Sequence, residues 1–374
     1  MNRGRVRLFA LLLLSGLPVF AQVEGITIPA GTPADTDLTA ITAEQDNQKK
    51  LAMYQDFVQK YTANSAAAAY GNWQLSQLYM TAGDLQKARD CADKAATAAP
   101  HNLDIVVSQA TIAQQQKDNV GVFKYAISGG QIYDSIDKQP KPEGTSDEQF
   151  ASDLGAQKEQ NKNSYEFLQT SAYNALTAEP NAKTRMDDIE QFSATFPKSS
   201  LDEQISSYAL MTLSELRDTP RLIAYANKRL ATSPDDLPTL VMLANTYADG
   251  SESAKAIPYA EKAILAAKAD ASDADKARKI SAGSAHCALG RVYANQGKTA
   301  LSVTELKSAT TLLKGQDEQQ FAIAAYYLGW DYAKLNRLTE ARAVLTEAAG
   351  ISGPVQGPSK ELLTKVNSAR AAGK

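Results

Sequence analysis

Four stretches of this chain repeat one skeleton, and that recurrence limits the folds open to it more than any other feature. Leu75, Tyr79, Ala88 and Ala95 are separated by four, nine and seven residues. The same gaps separate Leu243, Tyr247, Ala256 and Ala263; Leu289, Tyr293, Ser302 and Ala309; and Leu328, Tyr332, Ala341 and Ala348. A spacing of three or four keeps apolar residues on one helical face, so Leu75, Leu78 and Tyr79 line a first helix. Gly83-Asp84 interrupts the pattern and supplies a turn. Ala88, Ala92 and Ala95 give a second helix a seam of small side chains, and Pro100 closes the unit. Each unit is a helical hairpin too small to bury its own apolar face, so neighbouring units have to stack. Ser76, Tyr79 and Gly83-Asp84 have counterparts one period later in Ala110, Ala113 and Lys117-Asp118, a degenerate second copy.

This pattern resembles the tetratricopeptide repeat, with its Leu-Gly, Tyr, Ala and Pro signposts at a period of about 34 residues. The resemblance implies an all-α fold, a right-handed α-solenoid of stacked helix-turn-helix repeats. No segment shows the two-residue alternation of a half-buried strand. The expected organisation is a signal peptide over 1–21, a flexible linker over 22–42, and a capping helix with two repeats over 43–136. A long-helix excursion with a degenerate repeat follows over 137–202, then repeats over 203–357 and a capping helix over 358–374. Within the excursion, Ser146 with Gln149 reads as a capping box opening a long helix toward Glu179.

The signal-peptide reading rests on Arg3, Arg5 and Arg7, the apolar run from Leu8, and Val19-Phe20-Ala21 with small residues at the cleavage positions. It implies export to the periplasm or beyond, with no integral membrane segment after cleavage. The segments Phe57–Ser65 and Phe192–Ser199 resemble repeat ends in envelope-assembly proteins of the outer-membrane lipoprotein and Tol–Pal coordinator kind. Formal net charge is −3, with no Lys/Arg block, which argues against nucleic acid as a partner. Cys91 and Cys287, the two cysteines, fall in different repeats and are expected to be buried free thiols. His101 and His286 are the two histidines, and no metal, nucleophile-elbow or phosphate-loop motif accompanies them. The chain therefore reads as non-enzymatic and cofactor-free.

Solenoid repeats offer a concave surface built from their first helices. The repeat template places Trp73 and Gln77, Val107 and Thr111, Ser207 and Met211, Val241 and Asn245, Cys287 and Arg291, and Tyr326 and Trp330 on it. In the resembled family, Lys, Asn and Arg at such positions clamp a peptide carboxylate. Here only Asn245 and Arg291 fit, because Val241 and Cys287 occupy the Lys positions. The expected site is instead aromatic and amide in character: Trp73, Gln77, Asn245, Arg291, Tyr326 and Trp330, contacting a protein or extended peptide. Two alternatives accompany it. One is a glycan or peptidoglycan ligand stacked on the same aromatics; the other is a hydrolase with its site in the 138–179 excursion.

Overall fold

The computed structural model describes residues 25–271 and 274–372. The signal-peptide reading of 1–21 lies outside the described residues. Among those residues there are seventeen α-helices and no strand. In chain order they are α1 (Pro33–Ala43), α2 (Asn47–Lys60), α3 (Ser65–Thr81), α4 (Leu85–Ala98), α5 (Leu103–Gln115), α6 (Asn119–Asp134), α7 (Asp147–Thr177), α8 (Ala182–Thr195) and α9 (Asp202–Glu215). They continue with α10 (Thr219–Thr232), α11 (Leu237–Asp249), α12 (Ala256–Ala267), α13 (Lys276–Asn295), α14 (Thr299–Leu313), α15 (Glu318–Lys334), α16 (Leu338–Gly350) and α17 (Gln356–Ala372). The chain forms two units that divide inside α9, between Thr212 and Leu213.

Within each unit the helices stack as hairpins, the arrangement of an α-solenoid. Side-chain register shows the packing directions. Along α13, Gly283 faces Leu313 of α14 and Gly290 faces Leu306, so the two helices run antiparallel. First helices of successive repeats also touch: α3 packs on α5, and α11 on α13.

The turn inside each hairpin is the same object at five places. Gly83, Lys117, Arg217, Gly297 and Asn336 all have φ between 55° and 80°. The amide after each one reaches back five residues, from Asp84 to Tyr79, Asp118 to Ala113, Asp218 to Leu213, Lys298 to Tyr293 and Arg337 to Tyr332. This is the left-handed helix ending with its long closing bond, which satisfies carbonyls that the helix leaves open. Asp84, Asp118 and Asp218 then cap the second helix by accepting from the amides of Lys87, Gly121 and Arg221. Lys298 and Arg337 stand at that position in the later repeats and provide no side-chain cap.

The core is a series of interfaces between helices, and the residues at the closest approach vary as matched pairs. In α13–α14 and α15–α16 a glycine faces a leucine, Gly290 with Leu306 and Gly329 with Leu345. At the same register α11 and α12 carry Ala244 and Ala260, α3 and α4 carry Ser76 and Ala92, and α5 and α6 carry Ala110 and Ala126, all fully buried. One large side chain against none in the last two of these hairpins thus replaces the two small ones of the other three, so the glycine makes room for the leucine.

Two expectations need correction. Residues 22–42 were expected to be a flexible linker, yet Pro33–Ala43 is helical. Thr32 caps this helix by accepting from the Asp35 amide at 3.2 Å, and Pro33 takes the first-turn position where a missing N–H costs nothing. The helix then buries Ala34 and Ile41 against Tyr54 and Phe57. Ser146 does cap α7, accepting from the Gln149 amide at 3.1 Å. The reciprocal bond from the Ser146 N–H to the Gln149 side chain is absent among the described residues, and Gln149 Nε2 donates to Asp153 Oδ1 at 2.7 Å. Cys91 and Cys287 are free and buried, and burial pushes the Cys287 thiol up to about 12.

Candidate functional site: an amide-lined cleft beside Trp73

The first unit contains a cleft of about 390 Å³, walled by three separate parts of the chain. Tyr70 and Trp73 come from α3, Asn102, Leu103 and Asp104 from the start of α5, and Gln157, Gln160 and Asn161 from α7. Gln139, Gly25 and Ile26 complete the lining.

Trp73 is held in place by the next repeat. Its indole N–H donates to Ser108 Oγ at 2.8 Å, and Gln77 Nε2 donates to the same oxygen at 2.7 Å. Ser108 in turn donates to the Asp104 carbonyl at 2.8 Å, so the buried hydroxyl accepts twice and donates once. Tyr70 meets Trp73 edge to face with ring centroids 6.1 Å apart. The half-buried indole is thereby both a strut between repeats and part of the cleft wall, and its orientation is fixed before any ligand arrives.

The opposite wall exists because α7 is twice the length of a repeat helix. Its C-terminal half is buried: Leu168 sits against Gly129, and Gln114 donates to Ser171 at 2.9 Å. Tyr133 ties down the middle of α7, stacking on Tyr165 at 4.2 Å and donating to the Lys158 carbonyl at 3.3 Å. Lys158 pairs with Asp137, and Gln139 Nε2 donates to Gln157 Oε1 at 2.9 Å. Burial pushes the Tyr133 and Tyr165 hydroxyls up, so both stay neutral in the physiological range. The excursion therefore brings three amide side chains into the same cleft as an aromatic pair, with Asn161 Nδ2 donating to the Gln157 carbonyl at 2.8 Å. Amides donate and accept at once, which suits a ligand whose own polar groups alternate between donor and acceptor.

A second opening of about 450 Å³ in the same unit is lined by Tyr173, Glu203, Gln204, Ser207, Tyr208 and Met211. Met211 is 52% exposed, and the repeat template had placed Ser207 and Met211 on a ligand-facing surface.

The remaining site expectations fall in the second unit, where the structure joins two of them into one internal network. Arg291 is buried and pairs with Asp249; it lies within 3.5 Å of Asn245 Oδ1 and its guanidinium stands 5.5 Å over the Tyr327 ring. Asn245 Nδ2 donates to Ser284 Oγ at 3.1 Å and to the Val241 carbonyl at 3.0 Å. The acidic group beside Arg291 is therefore the chain's own Asp249. Tyr326 packs on the α13–α17 core and meets Tyr327 at 5.3 Å. Trp330 is half-buried beneath the Lys334 ammonium, 3.5 Å from the ring. Of the six expected residues, then, Trp73 lines a cleft and Gln77 braces it through Ser108; Asn245 and Arg291 brace adjacent repeats.

The sequence reading missed Gln139, Gln157, Gln160 and Asn161. The available signal was the amide-rich face of the excursion, whose location relative to Trp73 follows only from the chain path. Among the described residues, no group of three or more His, Cys, Asp or Glu side chains converges as a metal site.

Residues 69–102 match the family described as Tetratricopeptide repeat. The matched span is the α3–α4 hairpin with the turn that follows it, and it carries Trp73, Gln77 and Asn102. Among solved structures, the TPR domain of P58(IPK) is similar at 10% identity over 92% of this chain and 99% of that one, with a TM-score of 0.33. A comparison with curated proteins found no match.

Proposed function

We propose that this protein is a non-enzymatic scaffold of the bacterial cell envelope that holds an extended stretch of another polypeptide beside Trp73. Tetratricopeptide repeats support protein interaction in general. The observation that carries the specific reading is the cleft that Trp73 and Tyr70 share with Gln157, Gln160 and Asn161. An extended backbone presents N–H and C=O groups in alternation, which carboxamides satisfy without selecting one sequence, while the aromatic pair takes an apolar side chain.

Export is supported by the charged start and the apolar run before Ala21. No helix of the described residues is long and apolar enough to cross a membrane. The reading needs no cofactor and no nucleic acid.

The test is capture from envelope extract by the full chain and by a Gln160→Arg/Asn161→Arg variant, which sets two bulky cations at the cleft rim and leaves the helix interfaces untouched. Loss of a specific protein partner from the variant is the expected result. Equal capture by both proteins excludes the cleft, and co-sedimentation with purified cell wall replaces the peptide with a glycan ligand.

A further inference from the structure

Part of the cleft wall is the chain's own Gly25 and Ile26, which lie outside every helix. Gly25 to Pro29 has no regular secondary structure, and its side chains alternate: Ile26 and Ile28 are half-buried while Thr27 between them is exposed. Ile26 packs on the cluster that contains Ala69, Ala95, Ile105 and Trp73. Ile28 packs on the neighbouring cluster of Tyr54, Phe57, Ala67 and Leu75.

Among the described residues, no backbone hydrogen bond joins Gly25–Ile28 to a helix; the first bond of this region is Thr32 N–H to the Pro29 carbonyl. Ile26 and Ile28 supply the apolar packing of this segment, set against the entropy of ordering it. That is the contact pattern of an extended peptide lying on a helical surface and inserting alternate residues. The segment stays in place because α1 tethers it, which gives it an effective concentration on the order of millimolar.

We propose that Gly25–Pro29 is an internal pseudo-ligand. It marks the Trp73 cleft as a site for an extended peptide with β-branched aliphatic residues at alternate positions, and it competes with that peptide in cis. This deepens, and rests on, the peptide-binding reading of the cleft. It adds the side-chain chemistry of the ligand and a built-in competitor.

The test uses a fluorescein-labelled peptide Gly-Ile-Thr-Ile-Pro and the full chain carrying Trp330→Phe, so that Trp73 is the one tryptophan. Against this parent, Ile26→Asp expels the segment from the cleft. Peptide binding is expected to tighten by at least about tenfold in the variant. Trp73 emission should shift red in the variant and return on peptide addition, and Trp73→Ala should abolish binding. Equal affinity in parent and variant overturns the proposal, as does no binding by a variant whose far-UV dichroism and melting match the parent. Should Ile26→Asp fail to fold, Ile26→Gly removes the same anchor without burying a charge and is read identically. A partner captured in the rim-charge experiment alongside failure here keeps the cleft and removes the pseudo-ligand.

Discussion

The matched residues at the helix–helix contacts make a quantitative prediction. A Cβ added at Gly329 would lie 2.5 Å from Leu345 Cγ and 2.7 Å from Cδ2. Both residues are on helices and Leu345 is fully buried, so the leucine cannot swing clear without disturbing the α15–α16 packing. Overpacking of this kind costs about 1–3 kcal/mol, and up to about 1 kcal/mol is offset by the better helix propensity of alanine. Gly329→Ala should therefore destabilise by about 0–2 kcal/mol once the full propensity gain is taken off. Leu345→Ala leaves a hole and should cost about 2–5 kcal/mol. The double variant recreates the Ala244–Ala260 pair that the chain already uses between α11 and α12. Its loss should fall short of the sum of the two singles by about 1–2 kcal/mol, since each change relieves the other's defect. Urea unfolding followed by Trp330 emission, with Trp73→Phe to silence the other indole, reads the repeat that contains the pair. Losses that add to within about 0.5 kcal/mol would refute volume matching as the rule of this interface.

Two further outcomes follow from named positions. Lys117 holds φ 58° where the first repeat uses Gly83, so Lys117→Gly should stabilise the first unit by about 1 kcal/mol, seen as a higher denaturation midpoint. Asp331 is fully buried, and Ser302 Oγ lies against both Asp331 Oδ2 and the Gly290 carbonyl. One hydroxyl proton is shared between these two acceptors, at 2.7 Å to Gly290, and Asp331 Oδ1 has no hydrogen-bond partner among the described residues, so the charged carboxylate is poorly satisfied. Burial accordingly raises the Asp331 carboxyl above its ordinary range. A raised carboxyl stabilises the fold most below the unfolded value of about 4 and loses that contribution as pH rises. Asp331→Asn should then gain on the order of 1 kcal/mol at neutral pH and flatten this part of the pH–stability curve, measured by melting between pH 4 and pH 7.

The hairpins were legible because their signals are local. Gly83-Asp84 and the Leu75/Tyr79 stripe state a turn and a face within a few residues. Lys117 and Arg217 occupy the same left-handed turn without glycine, so register identifies them where residue type does not. Helix α1 was misread since Gly31 and Pro33 look like breakers; in place, Pro33 opens the helix. The cleft was half legible. Trp73 and Gln77 followed from the repeat template, but Gln157, Gln160 and Asn161 reach them only through the length of α7 and its anchoring by Tyr133. Arg291 looked available because Asp249, its partner, lies in the preceding repeat, and only stacking of α11 on α13 unites them.

The most direct measurement places a photoreactive benzoylphenylalanine at Gln160 in the full chain, in the cells that make it. Irradiation should give a discrete adduct that protease removes and muramidase leaves intact, and that disappears with Trp73→Ala. An adduct that muramidase removes, or none above that formed from exposed Leu265 of α12, would contradict a polypeptide ligand in the cleft.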